Sequence, residues 1–311
     1  MQRLFAVWTT ALLLLSGSAH AAAYDEAFAA YQKGDYAQAL KLFMPLAEKG
    51  DANAQYNVGT MYNNSLGVKT DYAEAAKWYQ KAVAQGNVYA QVDLALLYEY
   101  GRGVTKDYKE SMRLFRLAAD KQNPAAELNI AALYQRGLGV PQDYKEAANW
   151  YLRSANHGNG DAQYNLGLMY AGGHGVPLDM KQAVVWYRKA ADAGNDSAEL
   201  NLGAMYANGQ GGLAKSPKDA VTWFRKAAQA GNGHAQFNLA SIYANGDTGV
   251  AQDLPRALVW FEAAFATLKG EESKIADENS KAVAKAMTRE QVLAAQAIGK
   301  QCQQGNYTAC E

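Results

Sequence analysis

The stretch AQYNLGLMYAGGHGVPLDMKQAVVWYRKAADAG, Ala162 to Gly194, decides the fold, because nearly the same order of residues recurs along the chain. Its first part sets Ala162, Leu166, Gly167 and Tyr170 at i, i+4, i+5 and i+8, the spacing of one buried face of a helix. A Gly-x-Gly turn follows at Gly173 and Gly175. Asp179 then opens a second helix that carries Trp186 and Tyr187 and stops at Gly194.

Working outward, Tyr62, Tyr98, Tyr134, Tyr170, Tyr206 and Tyr243 recur at intervals of 36, 36, 36, 36 and 37. An aliphatic residue and a Gly or Ala precede each one, from Val58-Gly59 to Leu239-Ala240, and the small column predicts a second helix crossing closely there. Trp78, Leu114, Trp150, Trp186, Trp223 and Trp260 keep the same interval on that second helix. Asp71 with Glu74, Asp107 with Glu110 and Asp143 with Glu146 read as capping boxes, with variants at Asp179–Gln182 and Ser216–Asp219. Gly50, Gly86, Gly158, Gly194 and Gly231, each followed by Asn or Asp, suit left-handed helix ends. A two-helix unit this small cannot bury its apolar face alone, so the units must stack into a continuous all-α solenoid.

The ends differ from the array. Residues 24–50 read as a shortened capping hairpin and 51–268 as six repeats, while 269–311 read as a connection and a capping helix opened by Thr288-Arg289-Glu290-Gln291. The stripe Val292, Leu293, Ala297 and Ile298 is expected to cover the last repeat, and a Cys302–Cys310 disulfide to pin the tail. At the other end, Met1-Gln2-Arg3 precedes an apolar run from Leu4 to Leu15 and then small residues to Ala21. This is the order of a secretory leader spanning 1–23, cleaved after Ala21 or Ala23. About twelve apolar residues fall short of the roughly twenty that cross a bilayer, so a periplasmic or secreted mature chain without a membrane span is expected. Thirty basic and thirty acidic residues leave no net charge, which disfavours nucleic acid as a partner.

The order Ala-x-x-x-Leu-Gly-x-x-Tyr, Gly-x-Gly-Val, Asp-Tyr-x-x-Ala, Trp-Tyr and a closing Gly resembles the Sel1-like repeat, a relative of the tetratricopeptide repeat. The resemblance covers 51 to about 266. It implies a right-handed superhelix with a concave binding face and a role as adaptor, scaffold or inhibitor of another protein. The cysteine-rich branch of that family is not matched, because the repeats contain no Cys.

By the same resemblance the concave face is lined by first-helix positions two, five, nine, twelve and thirteen of each unit. In the first unit these are Asn53, Tyr56, Thr60, Asn63 and Asn64; their equivalents include Tyr89, Glu99, Tyr100, Gln135, Arg136, Asp161, Tyr164, Asn208, His234 and Asn245. Tyr and Arg are common interface anchors, though the same residues also fit a solvated face. Asn57, Asn129, Asn165, Asn201 and Asn238, with Asp93 in the remaining unit, form a column that either clamps a ligand's main chain, as in peptide-binding relatives, or holds neighbouring units together. The second role is the expectation.

Signals for catalysis are missing. His157, His174 and His234 occupy different columns, and no His-Glu-x-x-His, Gly-x-Ser-x-Gly, Ser-x-x-Lys or Walker-type loop occurs. No cofactor or metal is expected. The sequence therefore points to an exported, monomeric protein-binding adaptor or scaffold whose partner is a protein or peptide. An immunity protein against a toxic effector is the alternative, and peptidoglycan or glycan binding or hydrolysis is the alternative of a different class.

Overall fold

The computed structural model describes residues 20–305, 307 and 310, so most of the expected leader lies outside the described residues. Their contacts form two compact units that divide between Asp143 and Tyr144. The first holds α1 (20–32), α2 (Tyr36–Glu48), α3 (Ala52–Asn64), α4 (Tyr72–Ala84), α5 (Val88–Tyr100), α6 (Tyr108–Ala119) and α7 (Pro124–Arg136). The second holds α8 (Tyr144–Asn156), α9 (Gly160–Gly172), α10 (Met180–Asp192), α11 (Asp196–Asn208), α12 (Pro217–Gln229), α13 (Gly233–Asn245), α14 (Leu254–Thr267), α15 (Gly270–Lys285) and α16 (Arg289–Gln304). From α2 on, each helix within a unit packs against the next. The exception is the end of the second unit, where α15 and α16 both pack on α14.

Each first helix starts at a capping residue. Asp51, Asn87, Asn123, Asn159, Asn195 and Asn232 each accept a hydrogen bond from the amide three residues on, that of Ala54, Ala90, Ala126, Ala162, Ala198 and Ala235. The Asn or Asp after each closing Gly thus begins the next helix as well as following the turn. The αL residue that ends the helix, Gly101, Gly137, Gly173 or Gly209, is replaced by Ser65 in the first repeat. The second Gly of the Gly-x-Gly turn has a separate reason. At Gly103 the chain is left-handed, and a Cβ there would collide with the backbone of Tyr72, the first residue of α4 in the preceding repeat.

The second helices differ from the expected capping boxes. The Asp71 side chain accepts from the amides of Ala73 and Glu74, and Asp107 and Asp179 do the same for theirs. The acidic partners do not reach back: Glu74 pairs with Lys77 at 2.9 Å and Glu110 with Arg113 at 2.6 Å. The cause is that the backbone amide of each cap is already donated to the Tyr carbonyl that ends the first helix, Asp71 to Tyr62, Asp107 to Tyr98 and Asp179 to Tyr170. A reciprocal box forms at Thr288 and Gln291, where no such carbonyl competes.

The small column is where the two helices of a hairpin cross. A Cβ at Gly59 would lie 2.7 Å from the Tyr79 ring and one at Gly167 2.6 Å from the Tyr187 ring. Around these crossings the core is built from Phe43, Tyr79, Leu114 and Phe115 in the first unit, and from Tyr151, Leu202, Leu239 and Trp260 in the second. The repeated Tyr is only partly buried in most units, and its hydroxyl accepts from an Arg of the second helix: Arg116 to Tyr134, Arg188 to Tyr206 and Arg225 to Tyr243.

At the C-terminal end, the expected stripe is corrected. Helix α16 faces α14 through Ala295, Gly299 and Cys302, with Val292 partly covered, whereas Leu293, Ala297 and Ile298 point outward. The buried residues are spaced by four and three, and Gly299 lets the helices approach. The bulkier Leu293 and Ile298 lie on the other side of the helix. Cys302 and Cys310 are joined, both are buried, and their Cα atoms are 4.7 Å apart. Among the described residues no helix is long and apolar enough to cross a membrane, and no group of three His, Cys, Asp or Glu is placed to hold a metal ion.

Candidate functional site

In the first unit the first-helix face is aromatic. The Tyr56 ring lies 5.9 Å from that of Tyr79 and 5.8 Å from that of Tyr89, which is largely exposed. Tyr100 is exposed as well, with the Arg102 guanidinium 5.2 Å from its ring centre. Glu99 is buried and takes an ion pair from Arg136 at 3.2 Å, which ties α5 to α7. Asn53 and Asn63 are already engaged: Asn53 accepts from Asn87 at 3.1 Å, and Asn63 donates to Asn64 at 2.8 Å. The Gln135 carbonyl accepts from the Gln142 side chain.

In the second unit the expected residues separate into two groups. Asp161 accepts from the capping Asn195 at 2.9 Å, and Asn208 and Asn245 turn back to the carbonyls of Ala204 and Ser241 in their own helices. These three side chains serve the scaffold. Tyr164 is half-buried against Tyr187, with ring centres 5.9 Å apart; burial pushes both hydroxyls up, Tyr187 to about 12, and the neighbouring Asn201 side chain opposes this in part.

His234 stands elsewhere, at the mouth of a pocket of about 430 Å³ between α11, α13 and α15. Leu200, Phe237, Leu268 and Ile275 give it an apolar lining, Asn201 and Asn238 supply amides, and His234 meets Glu272 at 3.3 Å on the rim. An apolar cleft with a few convergent polar groups is the usual form of a binding pocket.

The Sel1 repeat profile matches residues 52–87, 88–123, 124–159, 160–195, 196–232 and 233–266. The chain belongs to the Sel1 repeat family. Its fold is accordingly the all-α solenoid class of stacked hairpins. It is similar to a crystal structure of a Sel1 repeat protein from Oxalobacter formigenes, with 38% identity and a TM-score of 0.74 over 79% of this chain and 100% of the other. A protective antigen present in uropathogenic Escherichia coli strains, described as displaying an SLR fold, is 32% identical over 95% of this chain and 67% of its own, with a TM-score of 0.68. No curated protein matches the chain.

Across these Sel1 repeats the surroundings of the Asn column vary with the residues one unit back. Where the preceding unit offers a Tyr hydroxyl the side chain lies beside it: Asn57 donates to Tyr24 at 2.9 Å, Asp93 is near the hydroxyls of Tyr56 and Tyr79, and Asn201 is near those of Tyr164 and Tyr187. Asn129, preceded by Val92 and Phe115 at the corresponding positions, turns back to the Ala125 carbonyl at 2.8 Å. Asn238 is preceded by Leu200 and Phe224, neither of which has a hydroxyl, and its amide lines the pocket with no partner among the described residues. Sequence reading missed Leu200, Phe237, Leu268, Glu272 and Ile275 as site residues. The available signal was the change from Tyr at position five in Tyr56 and Tyr164 to Leu200 and Phe237. The wall from α15 lies outside the repeats and carried no such signal.

Proposed function

We propose that the chain is an exported protein-binding scaffold that holds an extended segment of a partner protein on its first-helix faces, with an apolar side chain of that segment in the pocket under α15. The observation that carries this reading is Asn238, an amide without a protein partner facing a cleft lined by Leu200, Phe237 and Ile275. A side-chain amide can satisfy both the N–H and the C=O of one extended peptide unit, while the surrounding apolar surface favours a Leu- or Phe-sized group. The N-terminal apolar run and the joined cysteines support export.

The test is capture of partners from an envelope extract by the whole chain, compared with Asn238→Leu and Phe237→Ala. Asn238→Leu removes the amide and fills the cleft. Each change is expected to weaken capture of a specific partner at least tenfold while helix content is unchanged. Equal capture by all three proteins would reject the pocket. The identity of the captured protein separates a toxic effector from an envelope-assembly component, and binding to purified cell wall in place of protein would favour the glycan reading. Fractionation of a C-terminally tagged chain, with the size of its mature form, tests export.

A further inference from the structure

The last hairpin leaves a slot. Helices α15 and α16 are joined by a short turn, yet each packs on α14 rather than along the other. The gap between them opens at the turn as a cleft of about 640 Å³, and a second cleft of about 470 Å³ lies between the same two helices toward the C-terminal end of α16. The cleft at the turn has an apolar floor of Met287, Val292 and Leu293 and a rim of Lys281, Lys285 and Arg289. Leu293 is 58% exposed.

The charge here departs from the neutral balance of the chain. Between Asn279 and Lys300 there are four cations, Lys281, Lys285, Arg289 and Lys300, against the single acid Glu290. Lys281 pairs with Asp277 at 2.5 Å, whereas Lys285 and Arg289 have no carboxylate partner among the described residues. At the far cleft, Glu262 is half-buried, held up by desolvation, and hydrogen-bonded by Gln296 at 3.4 Å. Selection by charge is thus concentrated at the turn.

We propose that this slot is a second interaction surface, which receives an amphipathic helix of a partner protein whose polar flank is acidic. The open cleft where α15 turns into α16 has room for one face of a helix, with apolar residues at i, i+3, i+4 and i+7 seated over Met287, Val292 and Leu293. Carboxylates beside that stripe meet Lys285 and Arg289, and no acidic side chain lines the cleft among the described residues. The same cations disfavour a second copy of this chain, because two such rims would repel. This surface is separate from the pocket under α15 and does not depend on it.

The test uses a fluorescein-labelled 16-residue model peptide with a Leu stripe and Glu on the flanks, and a second peptide identical except for Lys in place of Glu. Binding to the full chain is followed by fluorescence anisotropy in low and moderate salt. The acidic peptide is expected to bind at least tenfold tighter than the Lys peptide and to weaken as salt rises. The double change Lys285→Glu with Arg289→Glu, at two solvent-facing positions, is expected to reverse the preference. Leu293→Ser is expected to weaken the acidic peptide several-fold with helix content unchanged. Equal binding of both peptides, no binding of the acidic one, self-association abolished by Leu293→Ser, or capture by anionic vesicles but not by peptide would each overturn the proposal.

Discussion

Asn195 serves two structures at once, and removing it should expose both. Its Oδ1 accepts the Ala198 amide and so caps α11, while its Nδ2 donates to Asp161 of the preceding repeat at 2.9 Å. Loss of an N-cap to Ala costs about 1 kcal/mol, and a hydrogen bond to a carboxylate at an exposed site adds roughly another 1 kcal/mol. Asn195→Ala should therefore cost about 2 kcal/mol. Asp161→Ala, which leaves the cap intact, should cost about half of that. In the double mutant the inter-repeat bond is lost only once, so a coupling of about 1 kcal/mol is expected. Urea unfolding followed by the helical signal measures all three. Hydrogen exchange at the Ala198 amide separates the cap from the link, because only Asn195→Ala should accelerate it. A coupling below about 0.3 kcal/mol would refute the reasoning, since the two residues would then act independently. It would also return Asp161 to the set of residues free to bind a partner.

Gly167→Ala tests the crossing of α9 and α10. The helix gains up to about 1 kcal/mol from Ala, but the new Cβ meets the Tyr187 ring and overpacking costs about 1–3 kcal/mol, so the denaturation midpoint should fall. Asp93→Asn tests the odd member of the Asn column. Burial raises the Asp93 carboxyl above its ordinary 3.8, the hydroxyls of Tyr56 and Tyr79 oppose this only in part, and the Tyr56 hydroxyl is pushed up to about 12. A carboxyl raised on folding binds its proton more tightly in the folded state. Its contribution is greatest below 3.8 and is lost as pH rises through the folded value. Asn at this position should stabilise the chain at pH 7 and remove this part of the acid dependence, as read from unfolding midpoints between pH 3 and 7.

Much of the scaffold was legible because it rests on local chemistry repeated many times. The Tyr, Trp and Gly columns marked helix faces, and the Gly-x-Gly turn marked the link between helices. The details that failed have two causes, a second claimant for a backbone amide and a close approach that favours small residues. The cap amides of Asp71 and Asp107 go to the carbonyls of Tyr62 and Tyr98, leaving Glu74 and Glu110 to pair with cations. The α16 stripe was misplaced because Ala295 and Gly299, smaller than Leu293 and Ile298, permit the close approach to α14. For the candidate site, position five and the Asn column were visible in the sequence. Which Asn would lack a partner depended on the residues one unit back, and the outer wall depended on a helix beyond the repeats.

What a column Asn meets depends in part on the unit before it, and this bears on how such chains change over generations. Recombination between similar repeats duplicates or reorders whole units and leaves every codon within them intact. A unit carrying Tyr at position five sets a hydroxyl beside the side chain that follows it, as Tyr56 does for Asp93, and one carrying Leu200 sets an apolar wall beside Asn238. Shuffling alone can thus open or erase a cleft such as the one at Asn238, and a new specificity can arise without a single substitution.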